Sequence, residues 1–158
     1  MIKDSSNKGI KYKRILKKEI DELNKFLYNH TSHIQTVARI IDYRISISQG
    51  SNGDNNFKGS EQAIMTMDVD YEYLTASLKY NSELMIEDWR DKNYIIIIRS
   101  LCHEISHIIT GESFDKLNIK YRGDGKYYQE RLTERVGRMI EQIYYPFMEL
   151  NKIKLNTG

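Results

Sequence analysis

Five consecutive residues, His103-Glu104-Ile105-Ser106-His107, carry the residue types and the spacing of an H-E-x-x-H metal site. On a helix, side chains four residues apart project about 40° from one another, so both imidazoles can reach one zinc ion from a single face. Glu104 then falls beside them, near the open coordination position. There it can take a proton from a bound water whose pKa zinc has lowered to roughly 7. With 4 histidines in 158 residues, a chance match to this pattern is on the order of a one-in-a-hundred event. The competing reading is a helix whose histidines are merely core or surface residues, so the surroundings must decide between them.

Those surroundings are apolar. Tyr94-Ile95-Ile96-Ile97-Ile98 lies upstream, and Leu101, Ile105, Ile108 and Ile109 fall within and after the motif, which predicts a helix buried on nearly every side. Two histidines and a glutamate inside such a helix need partners, and a metal supplies them, because unpaired buried charge is costly. Asp88 or Asp91 can cap the start and Gly111 can stop the end, so a helix is expected from about Asp91 to Thr110. The isoleucine run alone would suit a strand equally well.

Length and composition narrow the function classes. A chain of 158 residues is expected to form a single domain with a real core. Its 24 basic and 22 acidic residues nearly balance, which argues against nucleic acid as the main partner. The basic excess of the first 25 residues reads as a solvated helix face. The single cysteine, Cys102, excludes an internal disulfide and fits a reducing compartment. It diverges from His103 by about 100° on a helix and reads as a buried structural thiol. No apolar run reaches the length of a membrane span, and the polar stretch to Gly9 lacks the apolar centre of a signal peptide. A soluble cytoplasmic protein is the expectation.

The elements that must position the motif follow from periodicity. After a loose polar lead, Ile15, Leu16, Ile20, Leu23, Phe26 and Leu27 predict an amphipathic helix over about Lys13 to Tyr28. His30 and His33 follow it and read as exposed polar histidines more readily than as ligands. Ile34 to Ser48 reads as a strand or bent pair, and Gln49 to Ser60, with its three glycines, as a reversing loop. Two more strand-like runs cover Ala63 to Val69 and Tyr71 to Lys79. Beyond Gly111, an irregular stretch over Glu112 to Lys126 leads to a final helix, about Tyr127 to Lys152. Its apolar stripe is Leu132, Val136, Met139, Ile140, Ile143, Phe147 and Leu150, and Pro146 either kinks it or marks its end. The fold class is α+β: a small antiparallel or mixed sheet packed on a buried motif helix, with an N-terminal helix and a long C-terminal one.

With the motif on a buried helix after a short sheet, the chain resembles a zincin metallopeptidase, most strongly over about Ala76 to Arg138. The gluzincins, thermolysin-like enzymes and their small single-domain relatives, are the closest pattern. No histidine follows His107, and Gly111 sits one place later than the metzincin glycine, so the metzincin pattern fails. The resemblance implies a third zinc ligand that is a glutamate on a downstream helix. Glu134 is the first choice and Glu130, one turn earlier, the second; Asp124, in Asp124-Gly125-Lys126-Tyr127, resembles the D-x-x-Y element of aspartate-ligand zincins. Against Glu134 stands the helical wheel, which places it about 170° from the apolar stripe. The resemblance further implies that Ser77-Leu78-Lys79-Tyr80-Asn81 is an edge strand binding substrate.

The expected function is zinc-dependent hydrolysis of peptide bonds in a peptide or locally unfolded protein, with Glu104 as general base. Tyr121, Tyr127 and Tyr128 are candidate oxyanion donors. The alternative is a catalytically silent zincin-shaped binding or regulatory module, from a phage or other mobile element.

Overall fold

The computed structural model describes residues 14–51, 64–117 and 124–156. Leu23, Phe26, Leu27, His30, Thr31 and Ile34 recur at helical spacing and are buried along the first helix, α1 (Lys17–Ala38). The sequence had suggested a strand beginning at Ile34. The helical spacing instead carries on through Ile34 and Val37 into the core, and the chain leaves the helix only at Arg39, in the left-handed region at φ 60.

Three strands follow: β1 (Arg44–Gly50), β2 (Met65–Asp70) and β3 (Thr75–Asn81). They form a mixed sheet in the order β1-β3-β2, β1 parallel and β2 antiparallel to β3. This corrects the expectation that Ser77 to Asn81 is an edge strand. β3 is central, its backbone paired with Ser46–Gly50 on one side and Met65–Asp68 on the other. Leu78, Tyr80 and Asn81 are fully buried, Ser77 faces Ser46 across the parallel pair, and Lys79 lies between Ser48 and Thr66. Among the described residues, the edge on the motif side is β2.

Asn81 ends the sheet by capping a short helix that periodicity did not reveal, α2 (Ser82–Arg90), its side chain accepting from the amides of Glu83 and Leu84 at 3.2 and 3.4 Å. Asp88 lies inside α2 and Asp91 closes it, so neither opens the motif helix. That helix, α3 (Tyr94–Lys116), starts after Asn93 and runs through Gly111, which does not stop it. The stretch expected to be irregular from Glu112 begins as its last turn. α3 is also less enclosed than expected. Ile97, Ile98, Leu101, Cys102, Ile105 and Ile108 are buried, but Ile95 and Ile96 are about two-fifths exposed at 39% and 43%.

The largest correction concerns the last helix, α4 (Asp124–Leu150), which continues through Pro146. Leu132, Met139, Ile143 and Leu150 of the expected core stripe are exposed. The face that packs inward carries Gln129, Thr133, Gly137, Ile140, Glu141, Tyr144 and Met148. Small and polar groups line it because α4 lies close against α3: a Cβ at Gly137 would stand 3.1 Å from the His103 Cα. A polar seam fixes the register. Ser106 Oγ donates to the Thr133 carbonyl at 2.9 Å, and the Thr110 and Thr133 hydroxyls bond at 2.7 Å. Among the described residues, no helix is long and apolar enough to cross a membrane. The fold class, α+β with a small mixed sheet, is as the sequence implied.

Candidate metal site

His103, Glu104 and His107 come together midway along α3, each half-buried. One ligand atom from each lies within 4.8 Å of the others, so the three could hold a metal ion. The two imidazoles meet edge to face, with ring centroids 5.1 Å apart. They open onto a cavity of about 650 Å³, whose opposite wall is edge strand β2 from Met65 to Val69. Tyr71, just past that strand, also lines it, and its hydroxyl lies so close over Gly111 that a Cβ there would collide with it. The glycine expected to end a helix instead makes room for a phenol one turn below His107.

The electrostatics are those of groups short of a partner. Burial, reinforced by the charge of Glu130, raises the Glu104 carboxyl to about pKa 8. Burial lowers the pKa of His107, against the pull of Glu130, so its imidazole is held neutral as ligation requires. A cation among these side chains would satisfy both groups, favouring carboxylate and lone pair alike.

The downstream carboxylates separate into two positions. Glu134 Oε2 lies 3.1 Å from His103 Nδ1, and its other oxygen accepts from Arg138 Nε at 2.9 Å. The Arg138 hydrogen bond, helped by His103, lowers its pKa despite partial burial. In the tautomer whose Nδ1–H donates to Glu134, the His103 Nε2 keeps the lone pair that a metal ion would take. Glu130, one turn earlier, lines the larger cavity with both imidazoles, whereas Glu134 lines a smaller one beside Arg99 and Ser100. The face carrying Glu130, Glu134 and Gly137 thus does meet the motif, although the apolar stripe pointed the other way.

Other expected site residues do not join it. Tyr127 and Tyr128 are 60% and 59% exposed, pack on each other and on Arg131, and do not line the cavity. Tyr121 and the side chain of Asp124 lie outside the described residues. Ser77 to Asn81 are replaced along the cavity by β2. Tyr71, Phe114, Asp115 and Gln129 were missed. Only the Tyr71–Gly111 approach had a sequence trace, a glycine inside a helical run, and that trace was read as a stop.

Compared with known proteins, the chain matches no family model, no curated protein and no solved structure. The reading of the site stands on its own geometry.

Proposed function

We propose that this chain is a zinc-dependent peptidase of zincin type. One observation carries the reading: His103, Glu104 and His107 open together onto a cavity whose far wall is an edge strand. Among the described residues β2 pairs only with β3, and a strand with an open edge can add an extended peptide as a further strand and lay it across the candidate metal ligands.

Zinc suits two imidazoles and a carboxylate, and when bound it supplies a Lewis acid that acidifies water and polarises a carbonyl. His103 and His107 would be its nitrogen ligands. Glu130, outside the 4.8 Å cluster but sharing the cavity with both rings, would be the third ligand ahead of Glu134, which is engaged at Nδ1 of His103. Glu134 then orients His103 through its hydrogen bond, as outer carboxylates do at histidine sites. Glu104 takes the proton of the attacking water and passes it to the leaving amine. Tyr71, which lines the cavity, would donate its O–H to the developing oxyanion, in place of Tyr127 or Tyr128.

The test joins metal content with hydrolysis. Protein purified without added metal should carry close to one zinc per chain and cut an unfolded substrate such as denatured casein. Glu104→Gln should retain the zinc and lose about 10²–10⁴-fold in kcat. Hydrolysis undiminished in Glu104→Gln would exclude this mechanism, and a zinc-loaded wild type inert toward unfolded substrates would favour a binding module.

A further inference from the structure

Among the described residues, the cavity over the candidate metal ligands is lined by the acidic side chains Asp68 of β2, Glu104, Asp115 near the end of α3 and Glu130, and by no lysine or arginine. This is a local property, since the whole chain has a net charge of +2. Glu104 and Glu130 are accounted for by the metal site. Asp68 and Asp115 are not; both are exposed, and among the described residues neither forms an ion pair or a side-chain hydrogen bond. Lys116, next to Asp115, is turned to Glu112 at 2.9 Å.

A second observation points to a ligand in the same place. Gln129 lines the cavity, is only 7% exposed, and its Oε1 has no hydrogen-bond partner. A buried acceptor left unpaired costs on the order of 1–3 kcal/mol, a cost that a donor arriving with a substrate removes. Along α3, His103, His107, Gly111 and Asp115 are spaced by four residues and form one row. Asp115 lies about 12 Å along the axis from His107. That distance spans roughly three to four residues of an extended peptide lying beside β2.

We propose that the site selects peptides with a cationic side chain, lysine or arginine, within roughly four residues of the scissile bond. Asp115 and Asp68 hold the cation at the rim, and Gln129 accepts an N–H of the bound chain. The inference rests on the peptidase reading for its geometry, and it is tested without turnover. Zinc-loaded Glu104→Gln protein is titrated with dye-labelled peptides in which one lysine is walked through a neutral frame, against the same frame with norleucine. Fluorescence anisotropy gives each affinity.

The lysine peptide should bind at least about tenfold more tightly at its best position. Adding Asp68→Asn and Asp115→Asn should abolish that preference, with the melting temperature unmoved because both side chains are exposed. Adding Gln129→Leu should weaken both peptides alike. Equal binding of the two peptides at every position would overturn the proposal, as would a preference that survives both aspartate replacements. Cleavage by wild-type protein without charge preference overturns this inference and leaves the peptidase reading standing. Cation-selective binding by a wild type that cleaves nothing does the reverse.

Discussion

Two pairs of histidines at helical spacing, His30 with His33 on α1 and His103 with His107 on α3, have opposite fates. His30 is fully buried and both its nitrogens are used: Nε2 lies 3.1 Å from the Leu155 carbonyl and Nδ1 meets the Tyr144 hydroxyl. A carbonyl can only accept, so Nε2 carries the proton and Nδ1 accepts from the tyrosine. His33 packs against Phe147. At the other pair, the protein supplies His103 with one partner, Glu134, and leaves the remaining donor atoms facing a cavity with Glu104. Residue type and helical spacing do not separate a structural histidine from a ligand; what separates them is whether the chain itself uses the second nitrogen.

The comparison breaks most completely if the two pairs are exchanged in experiment. His107→Ala should abolish stoichiometric zinc binding while leaving the fold intact, since that side chain faces a cavity. His30→Leu should keep one zinc per chain and lose about 2–4 kcal/mol of stability, through the orphaned Tyr144 hydroxyl and imperfect packing. Elemental analysis and urea denaturation, applied to both variants, read the two effects separately. Zinc lost from His30→Leu would show that use of both ring nitrogens by the chain does not set the two pairs apart.

Acid sharpens the same contrast. Burial lowers the His30 pKa from 6.5 to about 4, outweighing the Leu155 bond, with His33 adding to the shift. Between those values the unfolded chain binds a proton that the folded chain refuses. The contribution of His30 is therefore complete above pH about 6.5 and lost as pH falls through about 4, on the order of 3 kcal/mol in full. Denaturation of metal-free protein between pH 7.5 and pH 4 (a window chosen to bracket roughly that titration), wild type against His30→Gln, should show the wild type losing stability more steeply. The difference between the two isolates His30 from Glu104, whose raised pKa acts in the opposite sense. Parallel curves would mean that His30 is charged in the folded protein.

The sequence disclosed the motif and the helix that bears it because the chemistry sets that spacing locally. It disclosed the fold class because strands and helices differ in period. It did not disclose the inward face of α4, and the reason is physical. Hydrophobic periodicity assumes that the apolar face is the buried one, whereas here the buried face meets a polar site and needs Thr133, Gly137 and Glu141 in place of bulk. The same assumption made Glu134 look misplaced. The central position of β3 depends on β1 returning parallel to it, a long-range pairing that no local alternation encodes. α2 escaped notice because it is short, though its cap, Asn81, was in view within a stretch assigned to substrate.

Gly137 tests whether close approach of α4 is what completes the candidate metal site. A Cβ there would meet the His103 Cα at 3.1 Å and Ser106 Oγ at 3.4 Å, and helix backbone cannot step aside as a side-chain end can. Gly137→Ala should cost about 1–3 kcal/mol of stability and weaken zinc binding as well, by drawing the carboxylates of α4 away from α3. The His30–Tyr144 contact lies about two turns further along α4. If stability falls while zinc affinity is unchanged, the approach of the helices is structural only.

The finest division lies within one ion pair. Glu134 holds both His103 and Arg138, but only the first bond reaches a ring of the candidate metal site. If the carboxylate acts by orienting His103, Glu134→Gln should weaken zinc binding about 10–100-fold, the range expected for an outer partner of a ligating histidine. Arg138→Gln removes a pair whose side chains are 72% and 51% exposed, worth about 0.2–1 kcal/mol at most, so zinc affinity should shift by less than about fivefold. Competition against a chelator of known affinity measures both variants. Equal losses would place the arginine in the support of His103, and loss of all zinc in Glu134→Gln would make Glu134 itself the third ligand and return Glu130 to the surface.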